Sequence, residues 1–145
     1  MSRKPEFYAA VFGIIKDENG NILFQKRQNT GFADGFYQLP SGHIEGEETY
    51  NEALIREMKE ELGIDILEKN IKLVHISHRI TKNDRVYFDI FFEITLYNGE
   101  ITNTEPEKCS ELKFLDYKNE NLVINYNKLA LENIEKGTAF SEVIY

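Results

Sequence analysis

The chain has very little cysteine: Cys109 is the only one among its 145 residues. A single thiol cannot form an internal disulfide bond, which excludes the disulfide-stapled class of small secreted domains. Proteins that fold in the reducing cytosol keep their thiols free. We therefore expect a cytoplasmic protein in which Cys109 is a small core or loop residue rather than a reactive thiol.

The sequence also lacks segments that would place it in or across a membrane. No apolar run approaches the roughly 18 residues that a transmembrane helix needs. The first residues, MSRKPEFYAA, contain no apolar region long enough for an export signal. We therefore expect no membrane partner.

Positive charge is scarce and unclustered. The formal net charge is −8 at pH 7, and no cluster of lysine and arginine stands out along the chain. Proteins that bind nucleic-acid polymers usually present a basic patch, so we expect no such partner. A small nucleotide is not excluded, because a bound metal ion can supply the positive charge that its phosphates require.

Length and composition fit one compact domain covering residues 1–145. A chain of this length can bury a substantial core, and 41% hydrophobic residues with a mixed charged surface are typical of a soluble globular protein. A helix is predicted from Asn125 to Lys136, ending at Gly137. Strands are predicted at residues 7–16, 22–27 (paired with the first as a hairpin), 37–39, 71–80, 86–97 and 111–117. These elements predict an α/β or α+β sandwich with a mixed sheet.

The most informative segment runs from Gly42 to Ile64 and contains seven acidic residues. Three of them, Glu57, Glu60 and Glu61, stand at positions i, i+3 and i+4, which places their carboxylates on one face of a helix. Each like-charge pair costs a helix about 0.2–0.5 kcal/mol, and a bound Mg²⁺ or Mn²⁺ turns this repulsion into attraction. The segment therefore indicates a metal site that handles phosphates. A solvated acidic helix face is the alternative.

The ends of this helix are also encoded. Thr49 and Glu52 fit a capping box, and Gly63 fits the left-handed position that closes a helix. Between them, apolar residues at helical spacing predict a buried stripe made of Ala53, Leu54, Met58 and Leu62. The acidic row lies beside that stripe, which places it at the rim of the core.

The pattern of the whole segment resembles the signature box of the Nudix hydrolases. All its fixed positions are met, by Gly42, Glu48, Arg56, Glu57, Met58, Glu60, Glu61, Gly63 and Ile64. The loop glycine, Gly46, is shifted by one place from the Glu-x-Gly-Glu of many members, which leaves the ligand positions intact. The resemblance extends upstream through NILFQKRQNTGFADGFYQLPSG and downstream through EPEKCSELKFLDY and LALENIEKGTAFSE.

The resemblance implies a fold, a reaction and a set of site residues. The fold is a central mixed sheet between helices. The reaction is attack of water on a phosphorus of a nucleoside diphosphate linked to another moiety, with Mg²⁺ or Mn²⁺ as cofactor. The implied metal ligands are Glu57, Glu60 and Glu61, with the backbone carbonyl of Ser41. Glu57 is alternatively, or also, the group that orients or deprotonates the attacking water.

Arg56 joins this catalytic set in a supporting role. It stays protonated and cannot act as a base, so we expect it to fix neighbouring carboxylates such as Glu48, which is either structural or an outer metal ligand. In many members of the family a late loop supplies another glutamate near the metal. Glu105 and Glu107 are the candidates here, and each is alternatively an ordinary loop acid.

Together with Glu105, two further residues are expected to contact the substrate. Arg27 ends a predicted strand before a polar loop, where its guanidinium suits a phosphate. A solvated strand end is the alternative. We expect Phe36 to stack on a base. It is one of four aromatic residues that could do so, and each of them is alternatively a core residue: Phe32, Phe36, Tyr37 and Phe88.

The intact box favours an enzyme over a catalytically silent Nudix domain that binds a nucleotide and regulates a partner. Markers of other subfamilies are missing, including any proline between Pro40 and Pro106. We therefore expect a MutT-like enzyme that converts a nucleoside triphosphate into the monophosphate and pyrophosphate. Hydrolysis of ADP-ribose or another nucleotide sugar is the alternative, and the formation of a homodimer stays open.

Overall fold

The computed structural model describes residues 4–83 and 85–144. Within these residues the chain forms eight strands, two α-helices and two 3₁₀ turns (Glu68–Asn70 and Tyr117–Asn119). In chain order the strands and helices are β1 (Phe7–Ile14), β2 (Ile22–Arg27), β3 (Tyr37–Gln38), β4 (Ser41–His43), α1 (Tyr50–Leu62), β5 (Ile71–Ile80), β6 (Val86–Ile94), β7 (Cys109–Leu115), α2 (Asn125–Glu135) and β8 (Phe140–Ile144).

The strands form two sheets. The larger has the order β4-β1-β6-β5-β8 and is mixed, since β1 is parallel to β6 and β5 is parallel to β8, while its other pairs are antiparallel. The smaller is antiparallel, with the order β3-β2-β7. The prediction of a mixed sheet in an α+β protein is therefore confirmed.

The two helices cover opposite faces of the larger sheet, because side chains alternate along each strand. On β1, Val11 belongs to a buried cluster with Met58 of α1, whereas Phe12 belongs to a second cluster with Tyr126 of α2. Phe12 also stacks on Phe91 of β6, with ring centroids 4.7 Å apart. The sheet is thus the central layer between two hydrophobic clusters, which confirms the predicted sandwich.

Helix α1 has the ends that its sequence predicts. The Thr49 hydroxyl accepts the Glu52 N–H at 3.2 Å, and the Glu52 carboxylate accepts the Thr49 N–H at 3.0 Å. Gly63 closes the helix in the left-handed conformation, with a φ of 71°. The predicted apolar stripe is completely buried and consists of Ala53, Leu54, Met58 and Leu62. These features fix which side chains of α1 face the sheet and which face the rim.

The predicted hairpin between the first two strands is wrong beyond its turn. The turn exists, since the Asp17 carboxylate accepts the N–H groups of Asn19 and Asn21, each at 2.9 Å. The strand pairing stops after one bridge, between Lys16 and Ile22. Both edges of β1 are already occupied by β4 and β6, so β2 leaves the larger sheet and joins β3 and β7.

Two strands of the larger sheet are missing from the sequence-based prediction. β4 has only three residues, and β8 follows the C-terminal helix. Both are stabilised by distant partners, β4 by antiparallel pairing with β1 and β8 by parallel pairing with β5. Boundaries shift in five predicted elements: β1 ends at Ile14, β3 at Gln38, β6 at Ile94 and α2 at Glu135, and β7 covers Cys109–Leu115, which leaves Tyr117 in a 3₁₀ turn.

The helices of the described residues are short. α1 has 13 residues and α2 has 11, whereas about 20 apolar residues are needed to cross the hydrocarbon core of a bilayer. Neither helix is long and apolar enough to span a membrane.

Leu54→Ala is expected to destabilise the protein by about 2–5 kcal/mol, because the leucine is fully buried in the α1 cluster and its truncation leaves a cavity. The matched control is Leu67→Ala, which truncates a side chain that is 54% exposed. The control is expected to change stability by less than about 0.5 kcal/mol. Urea unfolding followed by circular dichroism measures both effects. Equal effects would contradict the assignment of the buried face of α1.

Candidate active site

The site is organised where helix α1 lies against the short strand β4. Gly42 of β4 faces the Glu57 side chain of α1, and a Cβ atom at Gly42 would lie 1.9 Å from the Glu57 carboxyl carbon. No residue with a side chain fits at this position unless the carboxylate moves. Glu57 is consequently only 9% exposed, and this burial raises the pKa of its carboxyl group.

Glu61 lies one turn further along α1, on the same face. One of its carboxylate oxygens accepts the N–H of Ser41 at 3.2 Å. Burial, and then the negative charges of Glu57 and Glu105, raise the pKa of Glu61 to about 8. Near neutral pH this carboxyl group therefore holds a proton unless a cation compensates its charge.

Arg56 gathers several carboxylates beside Glu57. Its guanidinium donates to both oxygens of Glu48, at 2.6 and 2.9 Å, to Glu57 at 2.7 Å and to Glu60 at 3.2 Å. It also donates to the His43 carbonyl at 3.0 Å. The bonds from Arg56 lower the pKa of Glu48 to about 2. Arg56 thus ties α1 to β4 and to the loop between them, and the contact with Glu48 that we expect is present.

The three expected metal ligands differ in environment. Glu57 and Glu61 lie in the interior of the site, whereas the Glu60 side chain is 56% exposed and pairs with Arg56. Among the described residues, no three acidic, histidine or cysteine side chains are already arranged to hold a metal ion. The donor chemistry nevertheless fits Mg²⁺ or Mn²⁺, because the groups at hand are carboxylates. A cation would also relieve the crowding of negative charge that raises the pKa of Glu61.

The loop between β6 and β7 brings Glu105 towards Glu61. The two residues line the same part of a cleft. The Asn103 side chain closes this loop, because its amide donates to the Cys109 carbonyl at 2.8 Å and its oxygen accepts the Glu105 N–H at 3.2 Å. Glu107, the other candidate in the loop, is not among the residues that line the cleft.

The cleft has two adjoining parts, with volumes of about 400 and 510 Å³. Such volumes are within the range of small-ligand sites, about 300–1,000 Å³. The residues common to both parts come from β2, β3, β4 and α1, and they are Gln25, Arg27, Gln38, His43 and Glu61. Glu61 therefore stands where the two parts of the cleft meet.

Arg27 lies in the wall of the cleft, but its guanidinium is committed to other groups of the protein. Nε donates to the Phe32 carbonyl at 2.8 Å, Nη1 to the Gln38 side chain at 2.5 Å and Nη2 to the Thr30 hydroxyl at 3.1 Å. These bonds hold the loop of residues 28–36 against β3. A phosphate would have to share or replace them, so the geometry favours Arg27 as an organiser of the loop.

The aromatic candidates lie in different places. Phe32 lines the cleft, whereas Phe36 lines a separate pocket with Val123. Tyr37 is buried in the α2 cluster, and Phe88 packs on the α1 side of the sheet. Several residues of the loop between β2 and β3 have positive φ, so the direction of its side chains does not follow a regular alternation that sequence alone would reveal. Phe32, and not Phe36, is therefore the loop aromatic at the cleft.

A buried ion pair at the cleft is missing from the sequence-based predictions. Arg79 of β5 donates to both oxygens of Asp89 of β6, at 2.6 and 3.2 Å, and Asp89 is fully buried. The rings of Tyr87 and Tyr126 lie on the guanidinium, with centroids 4.2 and 4.0 Å from its central carbon. Arg79 and both tyrosines line the cleft. The sequence does contain a sign of this pair, namely an arginine and an aspartate within two apolar strands. Because an unpaired charge is costly to bury, two such residues are expected to pair.

Comparison with known proteins agrees with this geometry. A family model described as the NUDIX domain matches residues 6–133. An 8-oxo-dGTP diphosphatase of Proteus vulgaris is 33% identical over 102 residues, which are 70% of this chain and 88% of that protein. An ADP-ribose pyrophosphatase of Methanocaldococcus jannaschii is 36% identical over 110 residues, which are 76% of this chain and 62% of that protein.

The fold is shared with solved structures. The crystal structure of a MutT NUDIX hydrolase from Burkholderia pseudomallei aligns with a TM-score of 0.78 and 23% sequence identity, covering 88% of this chain and 97% of that chain. This likeness confirms the predicted fold. The family model and the Proteus vulgaris relative show that the chain belongs to the NUDIX domain family and is a MutT-like Nudix hydrolase, a pyrophosphohydrolase that acts on nucleotides.

Proposed function

We propose that this Nudix hydrolase converts a nucleoside triphosphate into the monophosphate and pyrophosphate, with Mg²⁺ or Mn²⁺ as cofactor. The proposal rests on the position of Glu61 at the junction of the two parts of the cleft, beside Glu57 and Glu105. Three carboxylates gathered in a cleft repel one another unless a cation compensates them. A cation bound at this point would compensate the charge of the carboxylates and of the substrate phosphates.

Glu57, Glu60, Glu61 and the carbonyl of Ser41 are the groups that would hold the cation. When bound, Mg²⁺ or Mn²⁺ neutralises and orients phosphate oxygens and makes a coordinated water more acidic. Arg56 has a positioning role, because it fixes the carboxylates of Glu57 and Glu60. It stays protonated and therefore takes no part in proton transfer.

We infer that one of two carboxylates orients or deprotonates the attacking water. Glu57 approaches from helix α1, and Glu105 approaches from the loop before β7. Glu105 lines the same part of the cleft as Glu61, and Glu57 stands one turn before Glu61 on α1. Either one is a candidate for the general base, which must lie within reach of the proton that it abstracts.

A triphosphate is favoured over ADP-ribose by the comparison with relatives. The Proteus vulgaris protein is named for its action on 8-oxo-dGTP, and this chain covers 88% of it, against 62% of the ADP-ribose pyrophosphatase. Phe32 and Tyr87 in the wall of the cleft offer aromatic surface to a base. Hydrolysis of ADP-ribose is the second candidate, because the Methanocaldococcus jannaschii relative is 36% identical.

The purified protein is expected to release pyrophosphate from nucleoside triphosphates in the presence of Mg²⁺ or Mn²⁺, and to stop when EDTA removes the metal. A panel of ordinary and oxidised nucleoside triphosphates, tested alongside ADP-ribose, identifies the substrate by its products. Cleavage of ADP-ribose alone would replace the first candidate with the second. Thermal shift reports binding separately, since a ligand at 100 times its Kd stabilises by about 2.7 kcal/mol. Tight binding without any product would contradict both candidates.

Glu60→Gln combined with Glu61→Gln is expected to lower turnover at least about a hundredfold, a loss typical of a missing catalytic group, while the protein stays folded. Glu47→Gln is the matched control, because Glu47 belongs to the same acidic segment but is exposed. Turnover is measured at saturating substrate, and circular dichroism checks folding. Unchanged turnover in the double variant would remove these residues from the mechanism.

The metal-free protein is expected to lose stability as the pH rises from about 5 to about 8, and Glu61→Gln is expected to remove part of this loss. The pKa of Glu61 is about 8 in the folded protein, against 4.5 for an ordinary glutamate. Between these values the folded protein holds a proton that the unfolded chain has released, so raising the pH favours unfolding. Urea unfolding in EDTA across this range compares wild type with the variant. Identical slopes would show that the pKa of Glu61 is not raised.

A further inference from the structure

The face of the larger sheet that lies opposite the cleft is apolar and is only partly covered by helix α1. Alternation and strand pairing place side chains of several strands on it: Ile76 of β5 is opposite Phe140 of β8, and Ile80 is opposite Ile144. We call this surface the open face. Its exposed members are Phe7, Leu73, Ile80, Phe140 and Ile144, bordered by Tyr50 at the start of α1.

The open face is a continuous surface. Phe7 stacks on the half-buried Phe88 of β6, with ring centroids 5.1 Å apart. A groove of about 550 Å³ continues the surface between α1 and β8, and Tyr50, Leu73, Phe88 and Phe140 are among its walls. The apolar region of the described chain therefore runs from β1 across β6 and β5 to β8, and the pair of His78 and Glu142 lies within it.

The exposed hydrophobic side chains of the protein are concentrated in this region and are not scattered singly over the surface. Twelve large hydrophobic residues are exposed in the described part of the chain, and six of them lie on the open face or at its border. Their exposed fractions run from 40% for Ile80 to 86% for Ile144. Isolated exposed apolar residues need no explanation, but a contiguous patch marks an interaction site.

The open face supplies more than half of the area that each partner of a stable dimer buries. At about 200 Å² for a whole aromatic side chain, the half-exposed rings of Phe7, Tyr50 and Phe140 present about 300 Å², and the six residues together on the order of 500 Å². This value is before the half-buried Ile76 and Phe88 are counted. A stable protein–protein interface buries about 800 Å² on each partner, so the open face forms the apolar centre of an interface of that class.

The charge distribution favours a second copy of this chain over a charged partner. The chain carries a net charge of −8, so two copies repel each other over most of their surface. Among the described β5 and β8 residues that strand pairing places on the open face, Glu142 carries the charge, and its carboxylate lies 3.8 Å from the His78 ring. Two copies meet there with little repulsion, whereas a strongly basic or acidic protein finds no complementary row of charges.

We propose that the open face is a homodimer interface in which it packs against the same surface of a second copy of this chain. A two-fold axis brings one patch against itself, which is the commonest arrangement of protein dimers. The two sheets then stack face to face as in a β-sandwich, about 10 Å apart. The side chains of Arg79 and Tyr87 project from the opposite side of the sheet into the cleft, so both clefts stay open to substrate.

Sedimentation velocity of the full chain is expected to show a monomer–dimer equilibrium that shifts with protein concentration. Leu73→Glu combined with Phe140→Glu is expected to raise the dissociation constant at least about tenfold, because it places carboxylates in the apolar centre of the interface. Turnover per subunit is expected to stay unchanged, since neither residue lies at the cleft. The matched control is Leu67→Glu combined with Leu96→Glu, at positions that are 54% and 63% exposed and lie off the open face.

Wild-type protein offers a second measurement that needs no variant. Amide hydrogen exchange of β8 is expected to slow as the protein concentration increases, because dimerisation covers one face of this strand and suppresses its local opening. A monomer at every concentration would overturn the proposal. So would a dimer that the control variant weakens as much as the open-face variant, or a dimer without concentration-dependent protection of β8. A monomer that binds a different protein through this face would overturn it in favour of that partner.

Discussion

Crowding of negative charge along one face of helix α1 is the constraint on which the site depends. One guanidinium, that of Arg56, is shared among Glu48, Glu57 and Glu60, and it cannot neutralise them all. Glu61 makes no hydrogen bond to this guanidinium, and burial together with the charge of Glu57 raises its pKa. The helix therefore keeps a surplus of negative charge beside the cleft. A phosphate substrate shares this sign, so its approach is opposed unless a counter-ion compensates the charge.

The placement of that charge depends on how closely α1 approaches the sheet. Gly42 of β4 leaves room for the Glu57 carboxylate. Gly13 of β1 likewise leaves room for the apolar side chains of the helix. A Cβ atom at Gly13 would lie 3.0 Å from both Met58 and Ile94. Two glycines on neighbouring strands thus set the distance of the helix, one on its acidic side and one on its buried side. The binding chemistry and the packing of the core are consequences of the same close contact.

Sequence predicts what is local and misses what is assembled across the chain. The caps, the buried stripe and the acidic row of α1 follow from residues within two or three turns of one another, and all are present. The sheet that β2 joins does not follow from nearby residues, because it depends on both edges of β1 being occupied. The pair of Arg79 and Asp89 is equally hidden, since its members come from different strands and meet only through the β5–β6 register. In the irregular loop after β2 no periodicity tells which aromatic side chain reaches the cleft.

Strand β5 shows how one register controls both sides of the sheet. Arg79 projects into the cleft, while its neighbour Ile80 lies on the open face, because side chains alternate along a strand. A slip of one residue would bury Ile80 at the cleft and expose the guanidinium on the apolar side. The irregularity between Leu73 and His75 adjusts the pairing before this point, and the bond of Arg79 to the buried Asp89 then secures it. An ion pair that could be read as purely structural therefore also keeps the polar chemistry of the cleft separate from the apolar surface behind it.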